Sequence, residues 1–233
     1  MPLDPRWTQT IDPALTDRRW DEYDALIQKE TADHTARLNS TPGFPALDWK
    51  VFKAMVWVES GGPSNPAWKA RAMQIGNPGD PGYATLRDQK EAAPLVMSDQ
   101  LKADLKSMNI SDPKLNVRAG IAYAMTRLAQ SVIKSVDEAS APIQEYTVVP
   151  GDSFDKIAKA VGTTIPSLTA LNPTARMIFP KQKLKYRKAG MQRVITGWRP
   201  FTTSTIAATY NVGDPKYKEK LDYVLALFPK LKR

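Results

Sequence analysis

The chain of 233 residues has no cysteine, which excludes disulfides and thiolate metal sites. It has one histidine, His34, and that scarcity argues against a His-based zinc centre or a Ser-His-Asp triad. His34 lies in a polar helical stretch and reads as solvated; no metal and no cofactor are expected. Long apolar runs are missing too. No segment approaches the roughly 20 apolar residues needed to span a bilayer, so no transmembrane segment is expected. The opening Met1-Pro-Leu-Asp-Pro-Arg-Trp7 lacks the apolar run of a cleaved signal, so the chain is expected to be made in the cytoplasm without one. Acidic residues are few toward the end. Beyond Arg176 only Asp214, Glu219 and Asp222 oppose a basic series that runs from Lys181 to Arg233, within a formal net charge of +9. Such a surface favours a polyanion, whether nucleic acid, anionic lipid or a carboxylate-bearing cell wall.

What is present is enough for a sizeable core: 42% of the residues are apolar, and the length suits one large domain or a large and a small one. The stretch from Asp48 to Pro63 reads as a buried helix that delivers a carboxylate to its own end. Phe52, Met55, Val56 and Glu59 recur at i, i+3, i+4 and i+7, placing the acid on the apolar stripe. Asp48 is placed to cap the start, and Gly61, Gly62 and Pro63 to stop the helix. Desolvation and the negative end of the helix dipole both raise the pKa of such a group, as a general acid requires. The plain alternative is a Glu at the rim of a core helix, turned to solvent or paired with an Arg.

Along the chain, Thr16 to Leu38 reads as an amphipathic helix, and the Gly- and Pro-rich stretch from Pro63 to Gly82 as a loop around Met73 and Ile75. Pro113 to Val136 reads as a helix with the stripe Ile121, Met125, Leu128 and Val132. Tyr123 shares its other face with Gly120 and Arg127, either bordering a second surface or covered by another helix. A composition break at Ser140-Ala-Pro142 opens a β-α-α-β module. It consists of a strand at Tyr146–Val149, helices at Phe154–Val161 and Ile165–Leu171, and a strand at Ile178–Tyr186. Helical patterning then resumes at Thr203–Tyr210 and again after Pro215, where Tyr217, Leu221, Val224, Leu225 and Phe228 form a stripe.

Two resemblances follow from motifs. Tyr146-Thr-Val-Val-Pro-Gly-Asp-Ser153, Ile157-Ala158, Gly162-Thr-Thr164, Leu168-Thr-Ala-Leu-Asn172 and Ile178-Phe-Pro-Lys-Gln-Lys-Leu184 resemble a LysM domain, with Lys181 where that family usually has Gly. The resemblance implies a groove for N-acetylglucosamine units formed by Gly151, Asp152, Ser153, Phe154, Asn172, Pro173 and Ile178. Glu59-Ser60, Arg71-Ala-Met-Gln-Ile75, Asn116-Val-Arg-Ala-Gly-Ile-Ala-Tyr123 and Ala207-Ala-Thr-Tyr-Asn-Val-Gly213 resemble, in order, the signature blocks of soluble lytic transglycosylases of the lysozyme-like superfamily. The expected fold is mainly α: a lysozyme-like helical catalytic domain plus a small βααβ LysM module. Residues 1–140 and 190–233 are expected to form the catalytic domain, with the module, 141–189, inserted in a surface loop.

By that resemblance the protein is an enzyme that cuts the bond between N-acetylmuramic acid and N-acetylglucosamine in peptidoglycan, with Glu59 as acid and then base. Ser60, Met73, Gln74, Tyr123, Tyr210 and Asn211 would bind the glycan strand or position the acid. A hydrolytic muramidase of the same fold is the alternative, with Asp80 as candidate second acid; its Asn-Pro-Gly-Asp-Pro-Gly setting reads equally as turn chemistry. From another class comes a non-catalytic wall-binding protein whose working part is the LysM module. A nucleic-acid role has only charge behind it, and no specific nucleic acid is expected as partner. An enzyme of this kind without a signal acts at the wall, in the periplasm, of a target cell. The expected setting is an antibacterial effector with a secretion apparatus, such as type VI, and an immunity protein as partners, or a phage-type lysin.

Overall fold

A computed structural model describes residues 2–138 and 140–232, so Arg233 of the basic series lies outside the described residues. The chain divides into two compact units, one made of Met1–Ser131 with Ile195–Arg233 and the other of Val132–Val194. It is mainly α, with two two-stranded sheets among the described residues.

The first pass of the chain through the helical unit gives α1 (Pro5–Ile11), 3-10 turns at Asp12–Leu15 and Arg18–Asp21, α2 (Asp24–Leu38), α3 (Trp49–Ser60) and a 3-10 turn at Pro66–Lys69. There follow α4 (Pro81–Arg87), α5 (Ala93–Val96), α6 (Asp99–Ser107) and α7 (Pro113–Leu128). Next come β1 (Ala129–Asp137), β2 (Gln144–Thr147), α8 (Phe154–Val161), α9 (Ile165–Leu171), β3 (Lys183–Tyr186) and β4 (Ala189–Trp198). The chain ends with α10 (Thr203–Thr209), α11 (Tyr217–Leu227) and a 3-10 turn, Phe228–Lys230.

Helices α3 and α7 are buried on nearly every side, as helices apolar all round must be. Asp48 and Asp112 accept the N–H groups of Lys50 (2.9 Å) and Leu115 (2.8 Å), caps worth about 1 kcal/mol each. Helix α3 packs on α2 and α11, and α7 on α2, α4, α5, α6 and α10. Lys53 is buried inside α3's surroundings and is paired with Asp21 and Asp24, each 2.7 Å away. That satisfies the rule that buried charges are paired.

Several expectations are corrected. The segment from Thr16 to Leu38 is not one helix; a 3-10 turn, Arg18–Asp21, occupies its start and α2 begins at Asp24. His34 is not solvated. It is 1% exposed, Arg37 donates to its Nδ1 at 3.1 Å, and burial first and Arg37 second push its pKa down to about 3. The polar face of α2 turns inward because it is partnered: Glu30 takes Arg118 at 2.9 Å, and Arg118 also reaches Asp104 at 2.5 Å. The helix expected to reach Val136 stops at Leu128. Ile121, Met125 and Leu128 are buried, but Val132 is exposed, because the β-branched run after Leu128 leaves the helix as β1. Its partner β4 was not read from the sequence at all. The pairing is antiparallel, since Glu138 donates to Lys188 at 3.1 Å and Arg199 to Leu128 at 2.8 Å.

Within the second unit β2 and β3 pair antiparallel, with Tyr146 opposite Leu184. Val148, Ile157, Leu168, Ala175 and Leu184 form its own small core. The regular part of the last strand begins at Lys183 rather than Ile178. The change of unit falls at Ser131/Val132 and Val194/Ile195, within β1 and β4, where the sequence expectation was 140/141 and 189/190.

Candidate functional site

Helix α3 ends where Gly61 takes the left-handed conformation (φ 70°) and donates to Trp57 C=O at 3.0 Å. Gly62 follows at φ 88°, and a Cβ there would lie 2.1 Å from the Trp20 ring, so only glycine fits. Ser60 is buried; its hydroxyl donates to Val56 C=O at 2.6 Å and accepts from Gly62 N–H at 3.2 Å. Its work is therefore to close the helix, and Glu59, just before it, is left partly exposed.

Glu59 faces a cleft of about 410 Å³ whose lining includes Met73, Gln74, Asp80, Tyr123, Tyr210 and Asn211. The loop that forms one wall is held by a buried amide. Asn116 of α7 accepts from Met73 N–H at 2.8 Å and donates to Ile75 C=O at 2.8 Å and Ile110 C=O at 3.0 Å. Met73 lies directly over Gly120, where a Cβ would come within 2.4 Å of the Met73 side chain. Gly120 itself is thus covered by this loop, and Tyr123 on the same face is 5% exposed, lies close to Gly82 of α4 and lines the cleft. Gln74 holds a left-handed backbone (φ 58°), a strained state that clusters at functional sites. Its amide donates to Arg71 C=O at 3.2 Å and accepts from Asn77.

The opposite wall comes from the end of α10. Tyr210 donates to Met73 C=O at 2.8 Å, and its ring lies 5.5 Å from Tyr123 and 6.3 Å from Tyr217. Asn211 Nδ2 reaches Glu59 Oε1 at 3.4 Å, a long contact.

Burial is the largest influence on Glu59 and pushes its carboxyl up to about 7. The Tyr217 hydroxyl and the Asn211 amide pull it back toward the charged form, Asp214 pushes it up further and Lys220 pulls it down. A group of this kind carries a proton for much of the time near neutral pH and can still release it. Tyr217 is 1% exposed, its hydroxyl makes no well-formed hydrogen bond among the described residues, and burial holds it well above the ordinary phenol range.

Asp80 also lines the cleft, but its oxygens are engaged. They accept from Gly76 N–H at 2.7 Å, Gly82 N–H at 2.8 Å and Tyr83 N–H at 3.3 Å, capping α4. Its carboxylate is thus committed to holding the loop and the start of α4. The sequence reading did not single out Asn116, Tyr217, Asp214 or Lys220. In the sequence Tyr217 belongs to an apolar stripe and Asn116 to a motif, and neither position marks a partner in the cleft. Arg127 was noted only for its helix face. It donates to Glu91 at 2.7 and 2.9 Å and to Thr209 C=O at 3.1 Å, on the cleft's rim.

In the second unit, most residues of the expected groove serve its turns. Asp152 accepts from Tyr146 Oη at 3.0 Å and Val149 N–H at 2.8 Å, Ser153 caps α8, and Asn172 ties α9 to β3 through both its amide atoms and Lys185. Gly151 turns at φ 86°, Phe154 and Ile178 pack on the small core, and Pro173 is exposed. Met177 and Phe179, 71% and 60% exposed beside Ile178, were not foreseen. Lys181 sits at φ 72°, a left-handed position that a glycine would occupy without strain.

Residues 146–186 match the family model of the LysM domain. The second unit thus contains a LysM domain, a module that suggests binding to peptidoglycan glycan. No curated protein and no solved structure matches the chain, and no family model matches its helical unit. Among the described residues no helix is long and apolar enough to cross a membrane.

Proposed function

We propose that the helical unit cleaves the glycosidic bond between N-acetylmuramic acid and N-acetylglucosamine in peptidoglycan, as a lytic transglycosylase. The observation that carries this reading is Glu59, an acid pushed up to about 7 on the floor of a cleft, in a chain that also holds a LysM domain. Glu59 protonates the bridging oxygen, and the bond to the muramoyl C1 breaks. As carboxylate it then takes the proton of the muramoyl 6-hydroxyl, whose oxygen closes on C1 to give a 1,6-anhydro end. Atoms balance without water, and Glu59 finishes protonated, so one carboxyl group serves both steps. The backbone commitments of Asp80 support this over a two-acid hydrolysis.

Digestion of purified peptidoglycan followed by mass spectrometry tests it. Anhydromuropeptides are expected from the wild type and none from Glu59→Gln. Products heavier by one water would make the enzyme a hydrolase, and a wild type that releases nothing would leave the LysM domain as the working part.

A further inference from the structure

Glu59 lines not one cavity but two. The second, about 820 Å³, shares no lining residue but Glu59 with the first, and its walls include Trp7, Thr10, Trp20, Asn65 and Lys220. That size is within the range of built ligand sites, roughly 300 to 1,000 Å³. Separate stretches build it: α1 with the 3-10 turns after it, the end of α3 with the loop that follows, and α11. Trp7 is held in place. Its ring meets Tyr223 edge-on at 5.9 Å, and Lys220 Nζ lies 5.4 Å from its centroid while bonding Asp214 at 2.7 Å.

We infer that this second cavity binds the sugar units on the far side of the scissile bond, so that the N-terminal segment Pro5–Asp17 is one wall of the substrate site. The inference rests on the proposed function and deepens it. An acid that protonates a bond inside a polymer must have chain on both sides of that bond, and the 410 Å³ cleft accounts for one side only. The chemistry of the second cavity suits the rest. Trp20 is buried, and the partly exposed Trp7 indole offers the surface that matches an apolar pyranose face. The Thr10 hydroxyl donates to Trp7 C=O at 2.6 Å and is left as an acceptor, and Asn65 accepts from Ala67 N–H through its amide oxygen and keeps its Nδ2 as a donor, so both match hydroxyl and N-acetyl groups. The Lys220 ammonium matches the carboxylates that muramoyl units and their peptides carry.

All six tryptophans lie in the helical unit, at 7, 20, 49, 57, 68 and 198, and none in the LysM-bearing unit. Indole N–H resonances therefore report binding in the helical unit without interference from the LysM domain. The test titrates Glu59→Gln full-length protein with peptidoglycan glycan fragments of four or more sugars. The Trp7 resonance, assigned through Trp7→Phe, is expected to move. Filling the cavity from exposed positions, in Thr10→Phe and separately in Ser64→Phe on the same background, is expected to weaken that response about tenfold. A Trp7 resonance that stays still at saturating fragment, or an unchanged affinity in either filled variant, overturns the inference. Loss of the enzymatic reading looks different: wild-type protein would release no product from the wall while the Trp7 response persisted.

Discussion

A carboxyl that titrates near 7 in the fold but near 4.5 when unfolded opposes stability as it ionises. Between those values the native state binds more protons than the unfolded chain, so stability falls as pH rises through the window. At roughly 1.4 kcal/mol per unit the full difference is on the order of 3 kcal/mol. Glu59→Gln is therefore expected to stabilise the protein at pH 8 and to do little at pH 4; urea unfolding at both values measures it. His34 runs the other way. Its folded pKa lies below the usual 6.5, near 3, so the stability associated with its neutral form is present above 6.5 and drains away as pH falls toward 3. Tyr217→Phe removes a group that favours the Glu59 carboxylate, so the Glu59 limb of the pH–rate profile is expected to move upward. A profile that keeps its position would deny Tyr217 that role.

At the scale of elements, the cleft depends on how a Gly- and Pro-rich loop is held against two helices. Asn116→Ala leaves the Met73 N–H and two carbonyls without their partner, and buried groups left this way cost roughly 1–3 kcal/mol each. The variant is expected to lose several kcal/mol at most and nearly all activity, read by thermal unfolding and product release together. In the LysM domain the left-handed Lys181 costs about 1 kcal/mol relative to a glycine. Lys181→Gly should raise that domain's stability by a similar amount, visible in the melting of its own near-ultraviolet or NMR signals.

For the whole molecule, the division into units makes the LysM domain separable. Replacing Val132–Val194 by a short Gly-Asn turn between Ser131 and Ile195 should leave the helical unit folded, because its core is drawn from both flanking segments and, among the described residues, from nothing in between. Sedimentation with insoluble peptidoglycan is expected to fall sharply, while cleavage of soluble glycan fragments continues. Loss of helical circular dichroism in this variant would contradict the independence of the units.

Glu59 was legible in the sequence because its signal is local: a 3.6-residue stripe, an Asp cap and a Gly-Gly stop lie within sixteen consecutive residues. The LysM module was legible for the same reason, since its turns and caps are written in short motifs. The inward turn of His34, the β1 and β4 ribbon and the place of Tyr217 beside Glu59 were not. Each depends on residues distant in the chain, such as the Glu59 carboxyl for Tyr217 and the α2 network around Arg118. Sequence periodicity states which face of an element is apolar; burial and hydrogen-bond partners are fixed only when the elements pack. Thus the sequence determined where the acid stands on its helix and where the small module lies. Tertiary structure decided that the acid meets two cavities and titrates near 7, because desolvation and the groups facing it come from segments that only folding brings together.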